Sequence, residues 1–161
     1  MHRDGILART VAPYVDPALQ ALAERWLGAL LSSLDYRGVL TVEFFLTDQG
    51  LLANEMAPRV HNSGHWTIEG AETSQFENHL RAVLGWPLGA TRARGHAAML
   101  NLLGKLPAVE SMLAIPGAHF HDYGKSPRPG RKVGHCTLVD EDRERLLERL
   151  KTVERLIQAS G

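Results

Sequence analysis

The stretch "GVLTVEFFLTDQGLLANEMAPR", residues 38–59, has the pattern of two strands joined by a tight turn. "VLTVEFFL" and "LLANEM" are rich in apolar and β-branched residues, and "TDQG" between them is typical of a hairpin turn. A three-residue loop over 48–50, with glycine in the left-handed position, would make Thr47 face Leu51. The stretch therefore predicts a β-hairpin of defined register.

In this register, Glu43 lies directly opposite Glu55. Carboxylates at facing strand positions sit about 5 Å apart at Cβ and repel each other. A divalent cation would relieve the repulsion, since Mg²⁺ prefers oxygen ligands and often uses one or two carboxylates plus substrate phosphates. Three alternatives stay open: both acids lie on a solvated face, they pair with Arg59, or a one-residue slip puts Asn54 opposite Glu43.

Composition limits the function classes. The chain has 161 residues, enough for one domain or two small ones, with 44% hydrophobic and 22% charged residues. No apolar run approaches the ~20 residues of a membrane span, and the N-terminus lacks the apolar region of a signal peptide. Basic and acidic residues balance at 18 each. We therefore expect a cytoplasmic protein without a nucleic-acid or membrane partner.

The segments on either side of the hairpin alternate between helix and strand signals. "GILARTVA" at 5–12 predicts a strand, and Asp16 followed by Pro17 predicts the start of an amphipathic helix that reaches Leu34. "SQFE" at 74–77 is a capping box that opens a short helix. A strand so close to the start leads us to expect that the chain is the back part of a longer protein.

The second half predicts a small β-rich unit. "GWPLG" at 85–89 ends the short helix and indicates a boundary, so we predict one domain over 1–88 and another over 89–161. "HAAMLNLLG", "AHFHDY" and "VGHCTLV" predict strands, "AVESML" predicts a helical turn, and a closing helix is predicted from Asp142 to about Gln158. The fold class is mixed α/β (α+β) with a mainly antiparallel sheet.

Histidine and cysteine suggest zinc only weakly. His61 and His65 are four residues apart, but that spacing converges on a metal only in a helix, which the nearby proline and glycine disfavour. His119 and His121 share a strand face and could chelate, although partly satisfied sheet histidines fit as well. The only cysteine, Cys136, excludes a disulfide framework and reads as a small core side chain.

A basic loop, "GKSPRPGRK", covers residues 124–132. Its four cations, stiffened by two prolines, fit an ordinary solvated loop. A cationic loop could also bind nucleic acid, but few aromatic residues accompany it and the rest of the chain is neutral.

Residues 38–88 and "DYGKSPRPGRKVGH" at 122–135 closely resemble the C-terminal half of the 5-(carboxyamino)imidazole ribonucleotide synthases, ATP-grasp ligases of purine biosynthesis. "NEMAPRVHNSGHW" at 54–66 is the most specific part, and the resemblance runs over essentially the whole chain. It implies ATP-dependent carboxylation of 5-aminoimidazole ribonucleotide with bicarbonate through carboxyphosphate, in a homodimer. Residues 1–88 would then be a partial ATP-grasp subdomain carrying the metal and bicarbonate side of the cleft.

The resemblance also implies roles for individual residues. Magnesium would bind Glu43 and Glu55. The nucleotide site would include His2, Asn54 and Glu55. Catalytic roles around bicarbonate or carboxyphosphate fall to Arg59, Asn62 and His65. Substrate contacts fall to Ser63, Gly64, Lys125, Arg131 and Lys132, the last three at the ribonucleotide 5′-phosphate.

The beginning of the chain departs from the family pattern. Enzymes of this kind carry an N-terminal domain and a second ATP-grasp subdomain that supply the adenine pocket and most ATP contacts. We therefore expect a fragment that is inactive without this N-terminal half, with exposed apolar residues on its first strand and first helix. Two alternatives stay open: a non-catalytic ribonucleotide-binding remnant, and a related ATP-grasp ligase such as formate-dependent glycinamide ribonucleotide transformylase.

Overall fold

The computed structural model describes residues 1–3 and 5–160, without the side chains of 2, 3 and 160. The strands are β1 (His2–Arg3), β2 (Ile6–Leu7), β3 (Arg9–Ala12), β4 (Thr41–Thr47), β5 (Gly50–Ala57), β6 (His96–Leu103), β7 (Ala118–Asp122) and β8 (Lys132–Asp140). The helices are α1 (Pro17–Leu34), α2 (Thr67–Gly70), α3 (Gln75–Leu84), α4 (Val109–Leu113) and α5 (Arg143–Ser160), with a 3₁₀ turn at Asn62–Gly64. None of these described helices is long and apolar enough to cross a lipid bilayer.

All pairings between the described strands are antiparallel, which confirms the predicted mixed α/β class with antiparallel sheets. The largest sheet has the order β3-β6-β8-β7, and β1-β2 and β4-β5 form two separate hairpins. β3 joins this sheet by pairing Arg9 with Leu100. A strand from the start of the chain thus completes a sheet built otherwise from residues 96–140, and the predicted domain division at residue 88 stays a prediction.

The large sheet is covered on both faces. β6 and β8 each contain six consecutive buried residues, which alternate between the two faces. On one face, Leu146, Leu150 and Val153 of α5 pack into the main apolar cluster. The segment 62–70 lies on the other face. The loop that the sequence predicts to be functional therefore lies on the central strands.

The first helix begins where the sequence predicts and packs less than its pattern suggests. The Asp16 carboxylate accepts hydrogen bonds from the amides of Ala18 and Leu19 at 3.1 and 3.0 Å, as expected of an N-cap. No residue of α1, all of which the structure describes, is buried. Trp26 contacts Phe44 at 5.9 Å between ring centroids yet remains 42% exposed. The expected apolar exposure on this helix is confirmed.

The same expectation for the first strand is wrong. Leu7 and Ala12 are 7% and 6% exposed, because β3 is paired with β6 and its neighbours are covered. The predicted strand over 5–12 is also split into β2 and β3. Local sequence pattern could not show that this strand is buried, because its partner β6 is distant in the chain. β3 ends at Ala12 and β6 begins 84 residues later, at His96.

The hairpin reaches the predicted pairing by a different route. Thr47 pairs with Gly50 rather than Leu51, so the predicted three-residue loop is wrong and the turn has two residues. A bulge between Glu43 and Phe44 then shifts the register by one, with Asn54 as the additional residue of β5. The shift restores Glu43 opposite Glu55.

Candidate functional site

Glu43 and Glu55 face each other, and His61 lies against both. The His61 Nδ1 is 3.6 Å from Glu43 Oε1, and its Nε2 is 3.8 Å from Glu55 Oε1. The Glu43 side chain is 16% exposed and that of Glu55 is 52% exposed, so the pair spans from the protein interior to the surface. The imidazole lies between the two facing acids, beyond hydrogen-bond distance of either carboxylate. Sequence reasoning treated His61 only as a discounted zinc ligand and missed this position.

The basic loop faces the same carboxylates. Burial lowers the pKa of Lys132, whereas Glu43 and Glu55 raise it, and the neighbouring cations Arg59 and Lys125 lower it further. Lys132 therefore interacts with four charged residues, which come from the hairpin, the segment after it and the basic loop. A half-buried lysine with its pKa lowered by desolvation is poised to gain a counter-charge from a bound anion.

The three cations Arg59, Lys125 and Arg131 make different contacts. Arg59 Nη1 donates to the Val60 carbonyl at 3.0 Å. The Lys125 Nζ lies 5.0 Å from the ring centroid of Tyr123, a cation–π distance. Arg131 Nη1 donates to the Ser126 carbonyl at 3.3 Å and so supports its own loop.

The donor set suits magnesium and disfavours zinc. Within the described residues, no group of three or more histidine, cysteine, aspartate or glutamate side chains could hold a metal ion. Two facing carboxylates fit a cation that takes its remaining ligands from phosphates and water. His61 and His65 do not converge, because Ser63 Oγ lies 2.8 Å from His61 Nδ1 and the Gln75 amide lies 3.0 Å from His65 Nδ1.

Gln75 clamps the loop that follows Arg59. Its Oε1 accepts from His61 N at 2.9 Å, and its Nε2 donates to His61 O at 2.7 Å and to His65 Nδ1 at 3.0 Å. The last bond leaves the His65 proton on Nε2. A Cβ at Gly64 would stand 2.7 Å from Gln75 Oε1, so glycine makes room for the clamp. Sequence reasoning assigned "SQFE" only to helix capping, which Ser74 Oγ also confirms with a 3.2 Å bond from Glu77 N.

The remaining predicted residues lie around this loop. Asn62 forms hydrogen bonds with Asn101 of β6, and Asn54 is exposed at the bulge beside Glu55. The backbone of His2 pairs with Leu7 in β1, and its side chain lies outside the described residues. The structure thus brings the acids, Arg59, Lys125, Lys132 and the 61–65 loop to one side of the molecule. The individual site roles stay predictions.

Three histidine rings pack together where the 61–65 loop meets the large sheet. The rings of His121 and His135 are parallel at 4.2 Å, and His65 is tilted against His135 at 5.3 Å. His135 Nδ1 shares a 2.7 Å hydrogen bond with Tyr123 Oη, and His121 Nε2 lies 2.7 Å from Glu69 Oε1. Burial, with the nearby His121 and His65, lowers the pKa of His135 to about 3. The layer is therefore held together by a neutral imidazole.

Acid should destabilise the fold through His135. The folded protein keeps this imidazole neutral to a pKa of about 3, whereas the unfolded chain takes up its proton below about 6.5. The contribution of His135 to the free energy of unfolding is therefore fully present above pH 6.5. It decreases as the pH drops, by about 2 kcal/mol at pH 5. Urea unfolding at pH 7.5 and 5.0 should show a smaller loss of unfolding free energy for His135→Gln than for the parent.

The control is His119→Gln, at an exposed histidine of β7, which should lose as much unfolding free energy as the parent. Equal losses in all three proteins would contradict the role of His135.

Cys136 lies in the core of the large sheet. It is fully buried in β8, and burial raises the pKa of its thiol to about 12. A thiol with this pKa is neither a nucleophile nor a metal ligand near neutral pH. The prediction of a small core side chain is confirmed.

Two family models match successive parts of the chain. Residues 1–76 match the ATP-grasp domain, and residues 97–149 match the phosphoribosylaminoimidazole carboxylase C-terminal domain. The two matches therefore fall on either side of "GWPLG".

Named relatives agree with both models. The chain is 58% identical to the N5-carboxyaminoimidazole ribonucleotide synthase of Pseudomonas aeruginosa over 158 residues, which cover 98% of this chain and 44% of the relative. A solved structure of the Thermus thermophilus synthetase matches with a TM-score of 0.94 and 56% identity, over 97% of this chain and 44% of that one.

A third relative was solved with ligands. The Aspergillus clavatus synthase, in complex with ADP and 5-aminoimidazole ribonucleotide, matches with a TM-score of 0.89 and 33% identity, over 98% of this chain and 46% of that one. The chain thus spans somewhat less than half the length of the relatives it matches.

Proposed function

Because this chain belongs to the ATP-grasp family of N5-carboxyaminoimidazole ribonucleotide synthases over the part of those enzymes that it spans, we propose that it forms one wall of a carboxylating active site. The reaction joins bicarbonate to the exocyclic amine of 5-aminoimidazole ribonucleotide through carboxyphosphate, with ATP converted to ADP, in purine biosynthesis. The observation that carries the proposal is the meeting of the facing acids Glu43 and Glu55 with the cations Arg59 and Lys132.

The acidic side of the site would serve the nucleotide. Glu43 and Glu55 would hold magnesium, which when bound neutralises phosphate charge. Asn54 stands at the bulge beside Glu55 and would contact the same nucleotide, together with His2. His61 lies between the acids; because its Nδ1 accepts from Ser63 N, its Nε2 would be the donor, on the side that faces Glu55.

The loop after the hairpin would hold the small anion. The planar guanidinium of Arg59 suits bicarbonate or carboxyphosphate, since its donors match two oxygens at once. Asn62, Ser63, Gly64 and His65 would line the pocket, kept in place by Gln75. Burial lowers the pKa of His65, so its ring would act near neutral pH as an uncharged donor through Nε2.

The basic loop would hold the 5′-phosphate of the ribonucleotide. Lys125 and Lys132 face the site, and Lys132 would regain its charge stabilisation when a phosphate enters. Arg131 would contribute from the loop that it braces through Ser126. A homodimer, a cytoplasmic location and completion of the cleft by the remainder of the enzyme belong to the same proposal.

A full-length chimera tests this function. The chain would replace its matching region in the Pseudomonas aeruginosa relative, and ADP release would be measured with bicarbonate and 5-aminoimidazole ribonucleotide. We expect ADP release that requires both substrates. Formate with glycinamide ribonucleotide should give none, and turnover with that pair instead would favour the related transformylase. A folded chimera that is inactive with bicarbonate would contradict the proposal.

A further inference from the structure

One polar residue interrupts the apolar central strand. Asn101 lies in β6 between Leu100 and Leu102, and it is only 4% exposed. An amide in such a place is stable only when its hydrogen-bonding groups are satisfied, because a buried group left unpaired costs about 1–3 kcal/mol. The position therefore calls for a reason beyond packing.

The Asn101 amide joins three segments of the chain. Its Nδ2 donates to the Leu7 carbonyl at 2.7 Å and to Asn62 Oδ1 at 2.6 Å, and its Oδ1 accepts from Asn62 Nδ2 at 2.9 Å. Its backbone N–H also donates to the Ala8 carbonyl at 3.0 Å. Both side-chain N–H groups are used, so the amide cannot flip without losing bonds.

This pairing restrains Asn62. Two reciprocal bonds fix which side of the Asn62 amide is oxygen and which is nitrogen. Asn62 lies in a 3₁₀ turn of three residues, a type of element with weak internal hydrogen bonds. The two bonds to Asn101 use one N–H and one oxygen lone pair of the Asn62 amide. Among the described residues, this leaves its second N–H and its second lone pair for a ligand.

We propose that Asn101 is a positioning residue: it anchors the Asn62 amide to the buried central strand so that the remaining donor and acceptor point into the bicarbonate pocket. The inference rests on the proposed function for its ligand. Asn101 does not itself touch the reacting groups. It acts through Asn62, and this dependence separates it from a residue that only stabilises the fold.

A double-mutant cycle in the full-length chimera tests the dependence. Asn101→Ala should lower kcat/KM by about 10- to 100-fold, since a small misplacement of a catalytic group has effects of this size. In an Asn62→Ala background, the same change should have no further effect on kcat/KM. An equal loss with and without Asn62 would overturn the proposal.

A matched control removes another buried polar group of the same sheet. Thr137 of β8 is fully buried, and its Oγ1 has no hydrogen-bond partner among the described residues. Thr137→Val should leave kcat/KM unchanged. A loss like that of Asn101→Ala would show that disturbing the sheet is sufficient, which would also overturn the proposal.

A measurement on the 161-residue chain keeps the inference separate from the proposed function. The side-chain amide of Asn62 should give two distinct, slowly exchanging proton resonances in the parent. In the Asn101→Leu variant, which is close in size and loses the Oδ1 acceptor of the Asn62 N–H together with both Nδ2 donors, these resonances should shift and exchange faster. Unchanged Asn62 resonances would refute the anchoring, whether or not the chimera turns over, whereas an inactive parent chimera would refute only the function.

Discussion

Glu43→Gln and Glu55→Gln in the full-length chimera are each expected to lower ATP-dependent turnover by roughly a thousandfold. A metal at this site would stabilise transition-state charge by several kcal/mol, and each 1.36 kcal/mol corresponds to a factor of ten. Glutamine keeps the size and one oxygen but removes the charge that attracts the cation. The loss should appear in steady-state ADP release at saturating bicarbonate, and added magnesium should rescue it only partly.

Stability should change far less than activity. The two acids face each other, so removal of one charge relieves repulsion, which for a cross-strand pair amounts to about 0.2–1 kcal/mol. Loss of the contacts between the carboxylates and His61 offsets part of this gain. Urea unfolding of the 161-residue variants should therefore lie within about 1 kcal/mol of the parent.

Glu24→Gln is the matched control for this prediction. Glu24 is an exposed acid of α1 that bonds only Gln20 among the described side chains, so its variant should keep parental turnover. If Glu43→Gln or Glu55→Gln retained more than a tenth of the parental rate, the carboxylates could not be the metal site. A drop in the free energy of unfolding large enough to explain the loss of turnover would give the two carboxylates a structural role instead.

The β4-β5 hairpin shows how much of the site can be predicted from the sequence. Alternation and a turn signal identify both strands, and these are local properties. The register depends on the turn length and on the bulge between Glu43 and Phe44, and sequence pattern missed both. The two errors shift the register in opposite directions and cancel. The predicted facing of Glu43 and Glu55 is therefore correct, although the loop behind it is not.

The residues that sequence reasoning missed all act across long separations. His61 meets Glu43 only because the chain folds back after the hairpin, and Gln75 reaches His61 from the start of another helix. Asn101 lies 39 residues from its partner Asn62. One local signal did exist, since an asparagine inside the apolar run "HAAMLNLLG" requires a buried partner. The sequence could not say which partner.

The contrast between α1 and α5 has the same origin. Both helices are 18 residues long and amphipathic, and both begin near their predicted caps. α5 buries Leu146, Leu150 and Val153 against the large sheet, whereas α1 buries nothing. Periodicity predicts which face of a helix is apolar. It does not predict whether the surface that covers that face lies within these 161 residues.

The 161-residue chain by itself is expected to show no bicarbonate-dependent ADP formation, at least ~10⁴-fold below the chimera. Glu55 is 52% exposed, and the hairpin leaves Phe45, Leu46 and Leu52 more than half exposed. In this open setting, water reduces the interaction of two charges 4 Å apart to about 1 kcal/mol, against several in a closed site. The acids and cations are already assembled among the described residues, but they stand open to water, which weakens the charges that they would bring to a reaction.

The test compares the isolated 161-residue chain with the full-length chimera. Coupled-enzyme detection of ADP should give no signal above background with the isolated chain, while the chimera turns over under identical conditions. Calorimetric titration with millimolar 5-aminoimidazole ribonucleotide would still reveal weak binding through Lys125 and Lys132, because a phosphate contact needs only those charges. Measurable turnover by the isolated chain would contradict the prediction. Binding without turnover would show that this chain recognises the phosphate by itself. The proposed carboxylation would then require the remainder of the enzyme to close the cleft, because a phosphate contact needs only one cation whereas the reaction would need the whole site.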